Sequence, residues 1–595
     1  MIDNLASHQF ESNIMKESSS PKSKSSKGAI TSSSTAEYFS KNLQQVGFSS
    51  QTKAVLTTLK EAVDNSLDAC EEGGILPEVK VEITKLGAGS LKNTDKIKIR
   101  VEDNGPGISE DDIPKVFGEY LASSKFGKGR CSRGQQGIGI SAATTWAQLT
   151  NATGARVISK TKSMRKAVSC IVEVDIKNNR GTIKERETLD WDKPTGTTVE
   201  FVIDGRIQLN GEAGLLSYLT GTAIVNPHLT LTYKIAEEPV ATIPRVTEEI
   251  PELPDAVEPH PHTMKLGEFI AHSHLFGRVK VKEWLKRGFS RVHEGVLNDI
   301  VKAGLSRSII EKSVDSTSET DFKNLFTTIQ NLQLMAPSTK SVMVIGEEAL
   351  SKSILRMGAI DFFAVVTRKP TICDFKPVEV EVAIARLQKR VGEADEPVQV
   401  LRFANRVPLQ FDKSSCAIAQ SISSVNWRAY GIAQPRESLP QGPYIIAVSV
   451  ISPFIKFKNA SKETIDGSDE LVEEIRRALI QAGQKLSRHI KKESKEGELE
   501  EKLRHIEQFC PILVEGLCRI TDAPDSRKKR AEEGLVKILG RDARDTEAEL
   551  KVAHARLEKI TDRENSKEKD LAKERDSEND SGDDSDDESE TADGE

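Results

Sequence analysis

Apolar positions change their period several times along the chain. Ala36–Asn42 and Lys53–Glu72 read as helices, and in the second Leu59, Val63, Leu67 and Cys70 form one apolar stripe. Period-two alternation follows in VKVEI (79–83), KIKIRVE (96–102), VSCIVEVD (168–175) and TTVEFVI (197–203), which predicts strands. Residues 34–201 thus predict an α/β sandwich, a sheet covered by helices. Residues 210–340 read as mainly helical, with a Pro-rich joint at 251–262. Alternation returns in VEVEVAIA (378–385), VQVLRF (398–403) and YIIAVSVI (444–451). A long helix comes next, its packed edge marked by Leu471, Ile475, Leu479, Leu486 and Ile490. Lys485, Arg488, Lys492 and Lys495 make a basic stripe along it, and Gly497 is a candidate interruption. No internal repeat is visible.

The first long helix also carries a polar row. Glu61, Asp64, Asn65 and Asp68 stand at i, i+3, i+4 and i+7, on one face. A charged row is ordinarily a solvated face. This one contains no Lys, Arg or Gln, and repulsion between acids at such spacings costs a few tenths of a kcal/mol per pair. A bound cation would relieve it. Spacing alone leaves both readings open.

Composition changes the picture mainly at the ends. The chain has 595 residues, enough for several domains, and 37% are apolar. The first 34 residues are rich in Ser and Lys and hold no apolar run, so they do not form a signal peptide. Residues 561–595 carry sixteen acids and five bases, a net charge of −11. The whole chain has −7, so the rest is +4, a mildly basic body that permits nucleic-acid binding. Both ends are expected to be disordered. No run approaches the roughly 18 apolar residues of a membrane span. Seven scattered cysteines without a CxxC pair indicate neither a zinc site nor a disulfide framework. The HxH pairs His260/His262 and His272/His274 are expected to be exposed loop histidines.

Three glycine-bearing segments then follow in a telling order. VEDNGPGI (101–108) ends a strand in Asp103, with Gly105 and Gly107 free to turn tightly, although a simple turn explains such a sequence too. EYLASSKFGKGRC (119–131) has the composition of a mobile lid. SRGQQGIGISAA (132–143) is a Gly-rich loop opening a helix, able to offer backbone N–H groups to phosphates, and PTGTTVEF (194–201) follows. Each is weak alone. Together, in this order, over about residues 35–205, they resemble the GHKL ATPase family, which includes gyrase-type topoisomerases, mismatch-repair ATPases, heat-shock chaperones and sensor histidine kinases. The resemblance implies ATP and Mg²⁺ as ligands. It implies that Asn65 coordinates Mg²⁺ and Glu61 orients and deprotonates the attacking water. Asp103 would read the adenine amino group beside Thr197, with Gly105 and Gly107 letting the backbone approach. Ser124, Lys125, Gly134, Gln135, Gln136, Gly137, Ile138 and Gly139 would surround the nucleotide. The acids would then line an ATP pocket; Asp64 and Asp68 receive no catalytic role.

The remaining sequence narrows the family. AEYFSKNLQQVGF (36–48), RFANRVPL (402–409), SVNWRAYG (424–431) and the SKETI of PFIKFKNASKETI (453–465) resemble the topoisomerase VI B-subunit family of type IIB DNA topoisomerases, from about residue 34 to 540. NWRAYG argues against a mismatch-repair or chaperone clamp, and intact Glu61, Asn65, Asp103 and Lys462 argue against a DNA-binding protein with a dead ATP site. The implied fold is α+β and multidomain: a disordered extension (1–34), a GHKL (Bergerat) sandwich with its strap (35–224), a helix–two-turns–helix domain (225–335), an S5-like α/β transducer (336–467), a stalk helix (468–505), an A-subunit docking segment (506–540) and a charged, largely disordered tail (541–595). Lys462 would reach from the transducer to the γ-phosphate. Trp427, Arg428, Tyr430, Lys485, Arg488 and Lys492 would face DNA. Tyr38, Phe39 and Phe48 of the strap would be available to pack on a second copy. No EGDSA-like segment occurs, so DNA cutting would fall to a partner A subunit, in an A2B2 heterotetramer that dimerises through its B subunits on ATP. The implied location is cytoplasmic and nucleoid-associated, in a prokaryote and first of all an archaeon.

Overall fold

In the computed structural model the described residues are 33–534 and 537, apart from 124–128, 130, 135, 212, 389–395, 437 and 460. The Ser/Lys-rich start and the acidic tail therefore lie outside them. The chain divides into two compact units, one up to Leu486 and one from Ser487 onward.

The first unit begins with α1 (Thr35–Lys41) and α2 (Gln51–Glu72). Helix α2 starts where Ser50 Oγ accepts the Lys53 N–H at 3.2 Å, and it stops at Gly73. Leu59, Val63, Leu67 and Cys70 are fully buried, as the stripe predicts; each large side chain contributes about 1.5–3 kcal/mol. They face a sheet built from β1 (Glu78–Ala88), β2 (Asp95–Glu102), β3 (Ala155–Lys160), β4 (Ala167–Asp175), β5 (Arg180–Leu189), β6 (Gly196–Gly205), β7 (Thr230–Ile235) and β8 (Ala241–Ile243). Its order is β5-β4-β3-β6-β2-β1-β7-β8. Helices α3 (Ile113–Gly118), α4 (Gly139–Asn151) and α5 (Leu215–Val225) complete this layer.

The expected boundary at 224 is too early. Strand β7 runs parallel to β1, Glu78 to Ile83 opposite Thr230 to Ile235, and buries Leu231 and Ile235 in the ATPase core. The helical segment begins later, with α6 (Leu266–His274), α7 (Val281–Gly288), α8 (Glu294–Lys302), α9 (Arg307–Glu311) and α10 (Glu319–Asn331) around a core centred on Trp284, Phe269 and Phe322. His260 is no exposed loop residue: it is buried and stacks on Phe375 at 5.1 Å, while His272 accepts from Trp284 Nε1 at 3.1 Å.

A second sheet follows α11 (Glu347–Ile354). Its strands are β9 (Ile360–Thr367), β10 (Thr371–Cys373), β11 (Lys376–Leu387), β12 (Gln399–Ala404), β13 (Val407–Pro408) and β14 (Tyr444–Ile451), with α12 (Ala417–Ser424) between the last two. The path is β10-β11-β14-β12-β13, with β9 also on β11. Helix α13 (Asp469–Ile520) follows, packing Ile475, Leu479 and Leu486. It does not break at Gly497, and the expected end of the stalk at 505 is passed. One Gly costs about 1 kcal/mol in a helix, and the flanking Lys, Glu and Leu residues outweigh it. In the second unit the helix leaves Phe509, Ile512, Leu513, Leu517 and Ile520 exposed.

Candidate nucleotide site

One face of α2 opens into a cavity of about 790 Å³. Glu61 and Asn65 line it, one helical turn apart, together with Gly107, Gly134, Gln136, Gly137, Ile138, Gly139 and Lys462. Four chain segments are thus brought together that the sequence separates by up to about four hundred residues. The Asn65 amide has no hydrogen-bond partner among the described residues and is half-buried. Helix α4 begins at Gly139 on the Glu61 side, and a side chain at Gly139 would collide with the Glu61 carboxylate. The helix start therefore directs its positive end and its unpaired N–H groups toward this cavity. Gly107, at φ +78, packs against the Lys160 carbonyl where no Cβ fits.

Asp103 ends the β2 segment, buried and outside the cavity lining. Its Oδ1 accepts N–H groups from Gly105 at 2.9 Å and Thr197 at 3.1 Å, and its Oδ2 accepts Ser66 Oγ at 2.9 Å. Burial nevertheless pushes its carboxyl above the ordinary value. Lys462 comes from the loop after β14, with φ 53. The loop is tied to the first turn of α2 by Glu463, 3.0 Å from Lys53, and Lys462 Nζ donates to the Arg133 carbonyl at 2.7 Å. Ser124, Lys125 and Gln135 lie outside the described residues.

Two acids of the row do not line the cavity. Asp64 is buried and accepts Tyr218 Oη at 3.0 Å, and burial pushes its carboxyl up to about 6. Asp68 pairs with Arg133 Nη1 at 2.6 Å. Local spacing placed all four polar groups on one face, but tertiary contacts divide them between a cavity and a buried network. Trp427 also departs from expectation. It is fully buried, its Nε1 donating to the Ile422 carbonyl at 2.8 Å, so it supports its loop instead of facing outward. Arg428 and Tyr430 stay accessible; Arg428 donates to the Gln434 carbonyl at 2.8 Å. Lys485, Arg488 and Lys492 are exposed on α13, with Lys485 also donating to the Val365 carbonyl at 2.7 Å. Phe39 is stacked on Tyr120 and Phe48 packs on Trp146, within the chain, so of the three strap aromatics only Tyr38 is exposed.

Two family models match. Residues 51–206 fit the histidine kinase-, DNA gyrase B- and HSP90-like ATPase, and residues 337–502 the topoisomerase VI B subunit transducer. The B subunit of type 2 DNA topoisomerase 6 from Archaeoglobus fulgidus is 36% identical over 491 residues, covering 82% of this chain and 79% of that protein. The chain belongs to the topoisomerase VI B-subunit family. The Methanococcoides burtonii member is 35% identical over 83% of this chain and 78% of its own length, and the Pyrococcus furiosus member 31% over 83% and 93%. Among solved structures, the ATPase region of Saccharomyces cerevisiae topoisomerase II aligns with 78% of this chain and 98% of its own, at 10% identity and a TM-score of 0.37. The assignment rests on the family relatives alone. As a topoisomerase VI B subunit, the chain is the ATP-hydrolysing component of a type II DNA topoisomerase, with a GHKL ATPase domain over residues 51–206.

The sequence reading missed the residues that brace this site: Arg133, Tyr218, Asn226, His228 and Arg406. Only Arg133 carried a local signal, its place beside the glycine loop.

Proposed function

We propose that this protein uses ATP to pair with a second copy of itself, gating the passage of one DNA duplex through a double-strand break made by a partner A subunit, and so relaxes supercoils and decatenates DNA. One observation carries the reading: Lys462, from the loop beyond the transducer sheet, lines the same cavity as Glu61 and Asn65. A cation arriving from another domain can sense the terminal phosphate, so occupancy of the cavity and position of the transducer become linked.

Glu61 acts as the base for the attacking water, a role worth roughly 10²–10⁴-fold. It is an acid beside a helix start, where hydrolysis needs positioning and charge neutralisation more than covalent help. Asn65 would hold Mg²⁺, its amide oxygen being the donor available. The fit is good: the amide is unpartnered among the described residues, and no cluster of three or more acids, His or Cys there builds a complete protein cage. Mg²⁺ takes few protein ligands and keeps phosphates and waters, and when bound it neutralises phosphate charge. Gly134, Gln136, Gly137, Ile138 and Gly139 receive phosphates through main-chain N–H groups. Ser124, Lys125 and Gln135 join them. Asp103 and Thr197 read the adenine edge, with Gly105 and Gly107 keeping the approach open.

The helices from α6 onward, up to residue 335, form a helix–two-turns–helix domain, 336–467 the transducer, and 506–540 the segment that docks on the A subunit. The exposed apolar row from Phe509 to Ile520 supports the docking, since five large apolar side chains on one helical segment mark an interaction face. DNA meets Arg428, Tyr430, Lys485, Arg488 and Lys492, while Trp427 holds their loop from inside. The archaeal relatives and the DNA substrate support a cytoplasmic, nucleoid-associated place in an archaeon. The test is light scattering. A nonhydrolysable ATP analogue should convert the isolated chain from monomer to dimer, and unchanged mass with the analogue bound would sink the reading.

A further inference from the structure

A second set of acids on α2 points beyond the cavity, and what it implies rests on the role proposed for Lys462. Glu71 is buried and accepts from three other segments. Arg133 Nη2 reaches it at 2.7 Å, Arg406 at 2.9 and 2.7 Å through both nitrogens of its fork, and His228 Nε2 at 2.9 Å. Arg133 immediately precedes Gly134, and its carbonyl is the one that holds Lys462. Arg406 sits in the turn between β12 and β13. It and Asn405 both have left-handed backbones, at φ 61 and 46, which non-glycine residues keep only where their surroundings hold them. The Asn405 side chain bonds both main-chain groups of Ser452, at the end of β14 where the Lys462 loop begins.

One carboxylate is therefore linked in two directions: to the carbonyl that receives Lys462, and to the turn that fixes the root of the Lys462 loop. We propose that Glu71 and Arg406 are positioning residues of the ATP reaction. Their forked pair sets where Lys462 enters the cavity and thereby joins the glycine loop to the transducer. Buried ion pairs contribute little stability relative to apolar replacements, whereas a bidentate Arg–carboxylate pair defines orientation closely. Positioning, more than stability, is what this arrangement supplies.

The full-length protein tests it. Arg406→Met combined with Glu71→Gln removes one charge of each sign and leaves Asp68 opposite Arg133. The double variant should keep its ATP KM within about threefold and lose kcat on the order of tenfold. Adding Lys462→Ala should then cost little more, because both changes disable the same contact. A kcat within about twofold of wild type, or losses that multiply independently, would overturn the proposal. Should the double variant fail to fold, Arg406→Lys decides the matter in the same assay. It keeps the charge and loses the fork, so kcat should fall by about threefold at an unchanged melting temperature; wild-type kcat would overturn the proposal. Wild-type protein that binds ATP without hydrolysing it would instead overturn the underlying reading of Lys462, a failure visible before any variant is made.

Discussion

Two neighbourhoods on α2 use the same residue types in opposite ways. Glu61 and Asn65 are half-buried and open to the cavity. One to three turns further on, Asp68 and Glu71 are sealed in a network with Arg133 and Arg406. Burial opposes charge on Glu71, yet the Arg133 and Arg406 charges outweigh it and hold the carboxyl well below its ordinary range. Burial opposes the Arg133 charge too, and Glu71 and Asp68 outweigh it in turn. The difference teaches that an acid with no ion pair among the described residues, beside a cavity, is poised for a ligand, whereas an acid already matched by arginines is part of the frame.

Breaking the sealed side should have the largest effect. Glu71→Ala strands the buried Arg406 guanidinium and leaves Arg133 with Asp68 as its remaining carboxylate, and losing one partner of such a network costs about 3–5 kcal/mol. Thermal unfolding should show a fall of many degrees or no folded protein, and a melting temperature within two degrees or so of wild type would erase the contrast. On the open side Glu61→Ala should leave the fold and ATP binding nearly intact while hydrolysis drops by roughly 10²-fold or more. Single-turnover hydrolysis checks it, and a rate within about twofold of wild type would remove Glu61 as the base. A finer division separates Asn65 from Lys462. Asn65→Ala should weaken nucleotide affinity in titration calorimetry with Mg²⁺ and ATP, by roughly tenfold, since a metal ligand is lost. Lys462→Ala should chiefly slow turnover. Equal affinity losses would merge the two roles.

A pH-dependent effect sharpens the comparison with a third environment. Glu379 is buried on β11 with Glu381 as its charged neighbour, and burial first, then that neighbour, pushes its carboxyl from 4.5 up to about 8. The folded state therefore keeps a proton that the unfolded chain has lost. Its contribution is fully present below pH 4.5 and declines as pH rises to about 8. Glu379→Gln should flatten that decline, so the melting-temperature gap in its favour should widen from pH 5 to 8. Parallel curves would show that the carboxyl titrates normally.

Much of the open side was legible in sequence because its signals are local. The helix stripe, the Asp103 turn and the Gly134–Gly139 loop are each set by twelve or fewer consecutive residues, and the structure joins Glu61, Asn65, Gly107 and the glycine loop around one cavity. The sealed side was not legible. Arg406 is a single arginine in a turn, and nothing nearby distinguishes it from a surface residue; its partner is 335 positions away. Trp427 failed for a related reason. An aromatic beside a basic residue suggests an outward face, but its N–H finds an acceptor five residues back and the ring turns inward. The strand at Thr230–Ile235 does alternate, yet a two-turn segment inside a helical stretch gives little weight until β1 supplies its partner.

The distance between Glu71 and Arg406 also bears on how the protein is made. At about 5–20 residues per second, a ribosome needs roughly 20–70 s after adding Glu71 to reach its arginine. Until then the emerging ATPase domain has Arg133 shared between two carboxylates, one negative charge in excess at the centre of the future junction. An N-terminal fragment ending before the transducer stays in that condition permanently. The interior of the nucleotide domain thus receives its second guanidinium only once the domain that carries Lys462 is being synthesised, and the order of synthesis is reflected in its charge balance.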